Sequence, residues 1–347
     1  GNVYTTGYFG GTVDFDPGTG TTNLTSTGAN DIFISKLDGL GNFVWAKNMG
    51  GTANDIGFSI AVDASGDIYS TGTFGGRADL DPGAASFSLT SNGRNDIYIS
   101  KISAAGNFIW AKGFGGSSAD YVYGITTDPA GNVYTAGYFQ GTVDFAPGVG
   151  KFNLTSAGGS DVYILKMDAL GNFVWAKRIG TTTNENAYSI FLDASANVHI
   201  TGDFSLIVDF DPNAGIANLT YTGQSDVFIL KLDASGNYLW AKSFGGSNFD
   251  FAYSIYVDAT GNVYTTGSFQ LTVDFDPGAA TFNIASSGSA DIFISKLDVS
   301  GNFVWAKKLG SSSIDIGRSI KVDGAGNVYT TGEFQGLADF DPNAGVS

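Results

Sequence analysis

The sequence predicts an all-β protein, a β-propeller assembled from 65-residue repeats, and three observations carry that prediction. Trp45, Trp110, Trp175, Trp240 and Trp305 stand 65 residues apart with no insertion or deletion between them. Around each lies one stretch, Asp31-Ile-Phe-Ile-Ser-Lys-Leu-Asp38 followed by Gly41-Asn-Phe-Val-Trp-Ala-Lys47, which returns at 96–112, 161–177, 226–242 and 291–307. The runs between turns are rich in Val, Ile, Thr, Tyr and Phe, and no segment holds a 3.6-residue apolar period long enough for a helix. A fixed period of this kind is the mark of a repeat architecture.

One period, followed from residue 1, contains four core strands. They are Asn2 to Phe9, Asp31 to Asp38, Phe43 to Lys47 and Ser59 to Asp63, each bounded by Gly, Asn, Asp or Ser. Asp38-Gly-Leu-Gly-Asn42 and Asp63-Ala-Ser-Gly-Asp67 have tight-turn compositions, in which glycine supplies positive φ and Asx side chains cap the turn. In Asp31 to Asp38, Ile32 and Ile34 point one way while Phe33 and Leu37 point the other, so both faces of the sheet are covered. Four-stranded sheets packed between copies of themselves are propeller blades. A parallel β-helix, the competing repeat fold, has much shorter rungs.

Propeller repeats more often run about 40–50 residues, and the excess here lies between Phe9 and Asp31. It reads as an added hairpin, Thr12 to Phe15 pairing with Asn23 to Ser26 across a Pro-Gly turn. Its copies, Ala78 to Pro82, Val143 to Pro147, Val208 to Pro212, Val273 to Pro277 and Ala338 to Pro342, keep their length. A free binding loop tolerates insertions, so constant length assigns the hairpin to packing. The repeats are 1–65, 66–130, 131–195, 196–260, 261–325 and a partial sixth, 326–347, in one array. A closed five-bladed ring leaves Asn327 to Phe334 redundant, so either further repeats complete the ring or the array stays open. The opening Gly1-Asn-Val-Tyr lies inside a repeat and lacks Met, as expected of a portion of a longer protein.

Composition narrows the function classes. The chain is 43% hydrophobic and carries a net charge of -16, from 33 acidic residues against 17 Lys and Arg. Such a surface repels phosphate backbones and anionic lipid, which excludes nucleic acid as a partner. No apolar run of about 18 or more residues is present, so no helix is expected to insert in a membrane. The absence of cysteine removes disulfides, thiolate metal sites and cysteine nucleophiles.

The strand runs resemble the SBBP repeats, a family of bacterial β-propeller repeats. Ser59-Ile-Ala-Val-Asp-Ala-Ser-Gly-Asp-Ile-Tyr-Ser-Thr-Gly72 and Lys36-Leu-Asp-Gly-Leu-Gly-Asn-Phe-Val-Trp45 carry the resemblance. Versions with the Val-Asp-Phe-Asp-Pro-Gly insert look like those of secreted and surface proteins of Bacteroidetes-type bacteria, which implies an extracellular or cell-surface location. Asp31 to Trp45 is also similar to the tryptophan-motif blade of quinoprotein-type propellers. The resemblance implies a fold; one fold hosts many activities.

Three acidic series repeat in phase. Asp14 and Asp16, Asp79 and Asp81, Asp209 and Asp211, Asp274 and Asp276, and Asp339 and Asp341 are candidate calcium ligands, since carboxylates one residue apart offer hard oxygens on one side. The competing turn reading, with Asp bonding the backbone and Pro fixing φ, is favoured. The third copy reads Asp144-Phe-Ala146, and the segment falls short of an EF-hand loop. Asp55, Asp120, Glu185, Asp250 and Asp315, and likewise Asp63, Asp128, Asp193, Asp258 and Asp323, are assigned to turns and strand ends. Lys36, Lys47 and their copies are expected to pair with these carboxylates between blades.

The five tryptophans could stack on carbohydrate, but indoles repeated in phase inside strands are assigned to blade-to-blade packing. His199, the only histidine, stands where other repeats have Tyr4, Tyr69, Tyr134, Tyr264 and Tyr329, an aromatic-like replacement rather than a base. No nucleophile–base pair stands out, so no catalytic residues and no enzyme are expected. The leading function is a non-enzymatic extracellular or cell-surface scaffold for adhesion, binding a protein or a glycan. The alternatives are a structural module that self-associates into fibres or surface arrays, and a hydrolase or lyase using a channel site. No cofactor is expected beyond calcium.

Overall fold

The computed structural model describes residues 1–148 and 150–341, so that Pro342 to Ser347 of the last period lie outside the described residues. All regular structure among them is β-strand, paired antiparallel. The chain divides into two compact units, one of 1–156 with 163–176, the other of 157–162 with the chain from Lys177 onward.

In the first unit, Ile56–Val62, Ile68–Phe74, Asp96–Ile102 and Phe108–Phe114 form one sheet, neighbours in that order. Before it stands a sheet whose core is Val3–Phe9, Asp31–Leu37 and Phe43–Gly51. After it come Tyr121–Thr127 and Val133–Phe139 with 163–167 and 173–176. In the second unit, Asn186–Leu192, Val198–Phe204, Asp226–Leu232 and Tyr238–Gly246 repeat the order. Phe251–Val257, Val263–Phe269, Asp291–Leu297 and Phe303–Leu309 follow, and then Ile316–Val322 pairs with Val328–Glu333.

Sheets are offset from the 65-residue periods counted from residue 1. Ile56–Val62, which closes the first period, pairs with Ile68–Phe74, which begins the second. Local chemistry sets this pairing. Asp63 Oδ1 accepts the backbone N–H groups of Ser65 and Asp67, and Gly66 takes φ +82, so the chain reverses within five residues. The strand also starts three residues before the predicted Ser59, with a bulge between Gly57 and Ser59.

Successive sheets pack face to face, as the two-sided apolar pattern requires. Along Asp96–Ile102 every residue is buried. Tyr98 and Ile102 join Ile32, Ile34 and Met49 of the preceding sheet, whereas Ile97 and Ile99 join Val122, Phe139 and Tyr163 of the following one. Strand alternation thus feeds two cores at once. Trp45 Nε1 donates to Ala104 O at 3.4 Å, Trp110 to Ala169 O at 3.2 Å and Trp240 to Val299 O at 3.3 Å, each time in a turn of the next sheet. That turn presents a glycine to the ring: a Cβ on Gly171, at φ +77, would lie 3.0 Å from Trp110 Cδ2. These three indoles are joints between sheets.

The added hairpins are joints as well. Gly50 and Gly51, at the end of one sheet, pair with Asp79 and Ala78 of the hairpin Arg77–Asp79 and Ser88–Thr90 belonging to the next. Gly245 and Gly246 pair with Asp274 and Val273 in the same way. The Val and Phe of Val-Asp-Phe-Asp turn inward, so Val273 and Phe275 are fully buried. Phe275 packs on Phe244 of the preceding sheet at 5.1 Å, and on Phe269 and Phe293 of its own at 5.3 and 5.5 Å. An insertion would displace this ring from its slot, which explains the constant hairpin length. Replacing Phe275 with Ala should cost about 3–5 kcal/mol, seen as a lower urea midpoint at unchanged slope. An unchanged midpoint would show that the hairpin is not a clip.

Candidate functional site

The hairpin carboxylates brace their own turn. Asp14 Oδ1 accepts the N–H groups of Asp16 at 3.0 Å and Thr22 at 2.8 Å, and Asp16 Oδ1 accepts that of Gly18 at 2.8 Å. Asp79 and Asp81, Asp209 and Asp211, and Asp274 and Asp276 repeat the arrangement. Asp144 keeps the first two bonds without a carboxylate at Ala146. Asp339 accepts from Asp341 N–H at 3.0 Å. Among the described residues, no group of three or more His, Cys, Asp or Glu side chains is placed to hold a metal ion.

The second brace follows Ile56–Val62 and its copies. Asp193 Oδ1 accepts the N–H groups of Ser195 and Asn197, while Oδ2 receives Asn197 Nδ2 at 2.9 Å and faces His199 Nε2 at 3.3 Å. Tyr69, Tyr134 and Tyr264 bring a hydroxyl to the same place, on Asp63, Asp128 and Asp258. Their rings meet Trp110, Trp175 and Trp305 edge-on, as His199 meets Trp240. The histidine therefore fills a tyrosine's position. Burial works against the charge on Asp193, yet donors from His199, Asn197 and Lys231 hold its carboxyl well below the usual range. Burial likewise lowers His199 against the pull of Asp193.

The closest lysine–aspartate pairs lie within a sheet, where pairing between blades was expected. Lys101 meets Asp63 at 3.5 Å and Asp67 at 3.1 Å, and Lys231 meets Asp193 at 3.2 Å, all within one sheet. Their strand register sets them across from the first turn of their own sheet. Lys36 instead donates to the backbone oxygen of Ala104.

The third series is the most deeply placed. Asp55 is fully buried; its Oδ2 accepts Gly51 N–H at 2.7 Å from the sheet before, and its Oδ1 accepts Gly75 N–H at 3.1 Å from its own. Asp120, Asp250 and Asp315 make the same two bonds. Beside each stands a second buried acid that sequence reasoning left unassigned: Asp31, Asp96, Asp161, Asp226 and Asp291. Each lies against a glycine. A Cβ on Gly50 would sit 2.8 Å from Asp31 Cγ and 3.0 Å from Asp55 Oδ2, and one on Gly115 would collide with the Asp96 carboxyl. The signal was available, since this Asp, this Gly and the joint acid recur in phase.

One place breaks the repetition. Asn186 and Asp203 stand where other repeats have Ile56, Tyr121, Phe251 and Ile316, and Tyr8, Thr73, Tyr138, Ser268 and Glu333. Asn186 Nδ2 donates to Asp203 Oδ1 at 3.2 Å. The joint acid here is Glu185, which bonds Thr181 and Thr183. A recess of about 410 Å³ opens beside them, walled by Asn184, Ser205, Gln224 and Ser225 and by the rings of Phe249 and Phe251. Burial pushes Asp203 up to about 7, against hydrogen bonds from Asn186 and Tyr188 and with Glu185 nearby.

Burial also raises Asp55, Asp120 and Asp226 to about 6 and Asp250 to about 7, although backbone donors oppose it. In the unfolded chain such groups titrate near 3.8. Folding favours their protonated form, so their contribution is full below that value and is lost as pH rises through about 6–7. The braces Asp38 and Asp258 are lowered: hydrogen bonds from Asn42 and Leu40 act on Asp38, and donors from Asn262 and Thr260 outweigh burial at Asp258. Their contribution is present above 3.8 and is lost on acidification. Calorimetry should give a higher Tm near about pH 5 than near about pH 8. A Tm that rises across this range would contradict the buried-acid assignment.

Comparisons with known proteins show similarity to other repeat-containing chains. The chain is 25% identical over 389 aligned positions to an uncharacterized WD repeat-containing protein of Acanthamoeba polyphaga mimivirus, covering 93% of this chain and 28% of that one. It is 27% identical to the regulatory protein FlaEY of Caulobacter vibrioides, over 44% of this chain and 16% of the relative. The chain thus spans well under a third of either relative's length. Among solved structures, a protein of unknown function from Bacteroides caccae aligns with TM-score 0.34 and 12% identity, covering 80% of this chain and 89% of that one. Residues 109–138 and 304–333 match the SBBP family, described as a beta-propeller repeat. Two stretches of the chain, whole 65-residue periods apart, thus carry the SBBP-type β-propeller repeat.

Proposed function

We propose that this chain is a non-enzymatic binding scaffold, acting outside the cell or on its surface, that presents its turns and hairpin ends to a protein or glycan ligand. The observation that carries this reading is the engagement of the repeated carboxylates. In period after period, groups able to act as acids, bases or ligands accept backbone N–H bonds that fix turns and joints. What remains outside this framework is a surface of turn tips, with Leu40 and Leu170 at 89% and 73% exposure. Large side chains held at tight, rigid turns suit contact with a partner, because little ordering entropy remains to be lost on binding.

The acidic balance favours a neutral or basic partner over nucleic acid. The hairpin carboxylates serve this scaffold as turn braces, a reading supported by the N–H donors on their Oδ1 atoms, and calcium is the alternative for the same residues. Adding calcium or a chelator should leave Tm unchanged; a calcium-dependent rise would assign the Asp14–Asp16 series to the metal. An array of glycans and extracellular proteins probed with the folded chain should show saturable capture, and substitution of Leu40 and Leu170 by Ser should weaken protein capture without changing Tm. A well-folded sample that captures neither class would overturn the scaffold reading.

A further inference from the structure

We infer that the recess beside Asp203 is a binding site for a neutral saccharide, an assignment that rests on the scaffold reading and gives it a ligand class. The argument begins with where the repeats diverge. The combination of side chains here is found in no other period: Asn186 replaces Ile or an aromatic, and Gln224 stands where Ala29, Arg94, Gly159 and Ser289 stand. A packing role predicts no such change, since Ile56 and Ile316 serve the same strand position in their sheets.

The lining has the chemistry of a polyhydroxyl ligand. Amides of Asn and Gln both donate and accept, the Asp203 carboxyl accepts when ionised and also donates when protonated, and Ser225 adds a hydroxyl. Ser225 is only 5% exposed, and its Oγ has no hydrogen-bond partner among the described residues. A buried hydroxyl without a partner is costly unless something else bonds it. Ser225 is among the residues lining the recess, and rotation of its hydroxyl toward that space would give it a ligand partner.

Part of the lining is aromatic. Phe249 and Phe251 lie stacked, centroids 6.0 Å apart and planes 8° from parallel, with Tyr253 continuing the ladder at 6.0 Å from Phe251. Phe249 is 41% exposed. Its open ring offers a negative face to the C–H bonds of a pyranose, while the polar wall takes the hydroxyls. The recess volume falls within the range of small-molecule sites, and its wall is more polar than most. No positively charged side chain is among its lining residues, so an anionic ligand is disfavoured.

Saturation-transfer NMR and calorimetry with glucose, galactose, mannose and N-acetylglucosamine, and with short oligomers of each, test the assignment. The intact chain should bind at least one of them. Asn186→Ile, Asp203→Thr and Phe249→Ala install residues that other repeats carry at these positions, so the fold should persist, as checked by Tm. Each should raise Kd by about tenfold or more. A saccharide bound equally by wild type and all three variants overturns the site, as does binding of a peptide at the recess with no saccharide bound. If no saccharide binds while the array still captures a protein, the site assignment fails and the scaffold reading stands. If neither binds, both fail.

Discussion

A buried carboxylate at the join between one sheet and the next is the constraint on which the rest depends. Asp55, Asp120, Asp250 and Asp315 each close two backbone bonds, one to the strand arriving from the preceding sheet and one to the loop leaving the second strand of their own. Strand ends carry N–H groups without ladder partners, and burying them unpaired would be expensive. One side chain settles two such groups from segments 24 residues apart (Gly51 and Gly75). The neighbouring acid, Asp31 or its copy, forces glycine at the turn where the joint is made. Burial away from water disfavours ionisation, and at Asp55, Asp120 and Asp250 the neighbouring carboxyl adds to it, so these groups rise while the more exposed braces fall.

Around that joint, the hairpin and the tryptophan act as two further fastenings. Phe275 enters a slot shared by two sheets, and Trp240 donates to a carbonyl of the next turn. The first contact reaches one sheet back and the second one sheet forward. Stability in such an array is a sum of local terms and nearest-neighbour terms, and here the neighbour terms include an aromatic, a ladder pair and a charged hydrogen-bond centre. A sheet of this kind owes much of its order to the one beside it.

The architecture was largely legible in the sequence because its signals are periodic. Alternating apolar residues on both faces of Asp31 to Asp38 implied covered sheets, and constant hairpin length implied packing; each follows from geometry that repeats five times. The Tyr-to-His exchange at residue 199 likewise read correctly from phase alone. What escaped was the pairing of acids: Asp31 and Asp55 are distant in sequence, and only the path of the chain around Gly50 brings them together. The offset of the sheets from the counted periods escaped too, because a period fixes spacing and not its origin. The recess at Asp203 was hidden for the opposite reason. Attention to what repeats passes over the one set of residues that does not.

The exact constancy of the period has a consequence for how such a chain changes length. Every fastening links a residue to a partner at a fixed offset along the chain, as Gly51 to Ala78 and Trp45 to Ala104. Excision or duplication of one whole period therefore rejoins each half-fastening to an equivalent counterpart, wherever the break falls. A change of one residue more or less within a strand would turn the rest of that strand to the wrong face. A private feature such as the Asp203 recess, built from residues of one period and the start of the next, would be copied or lost with its unit.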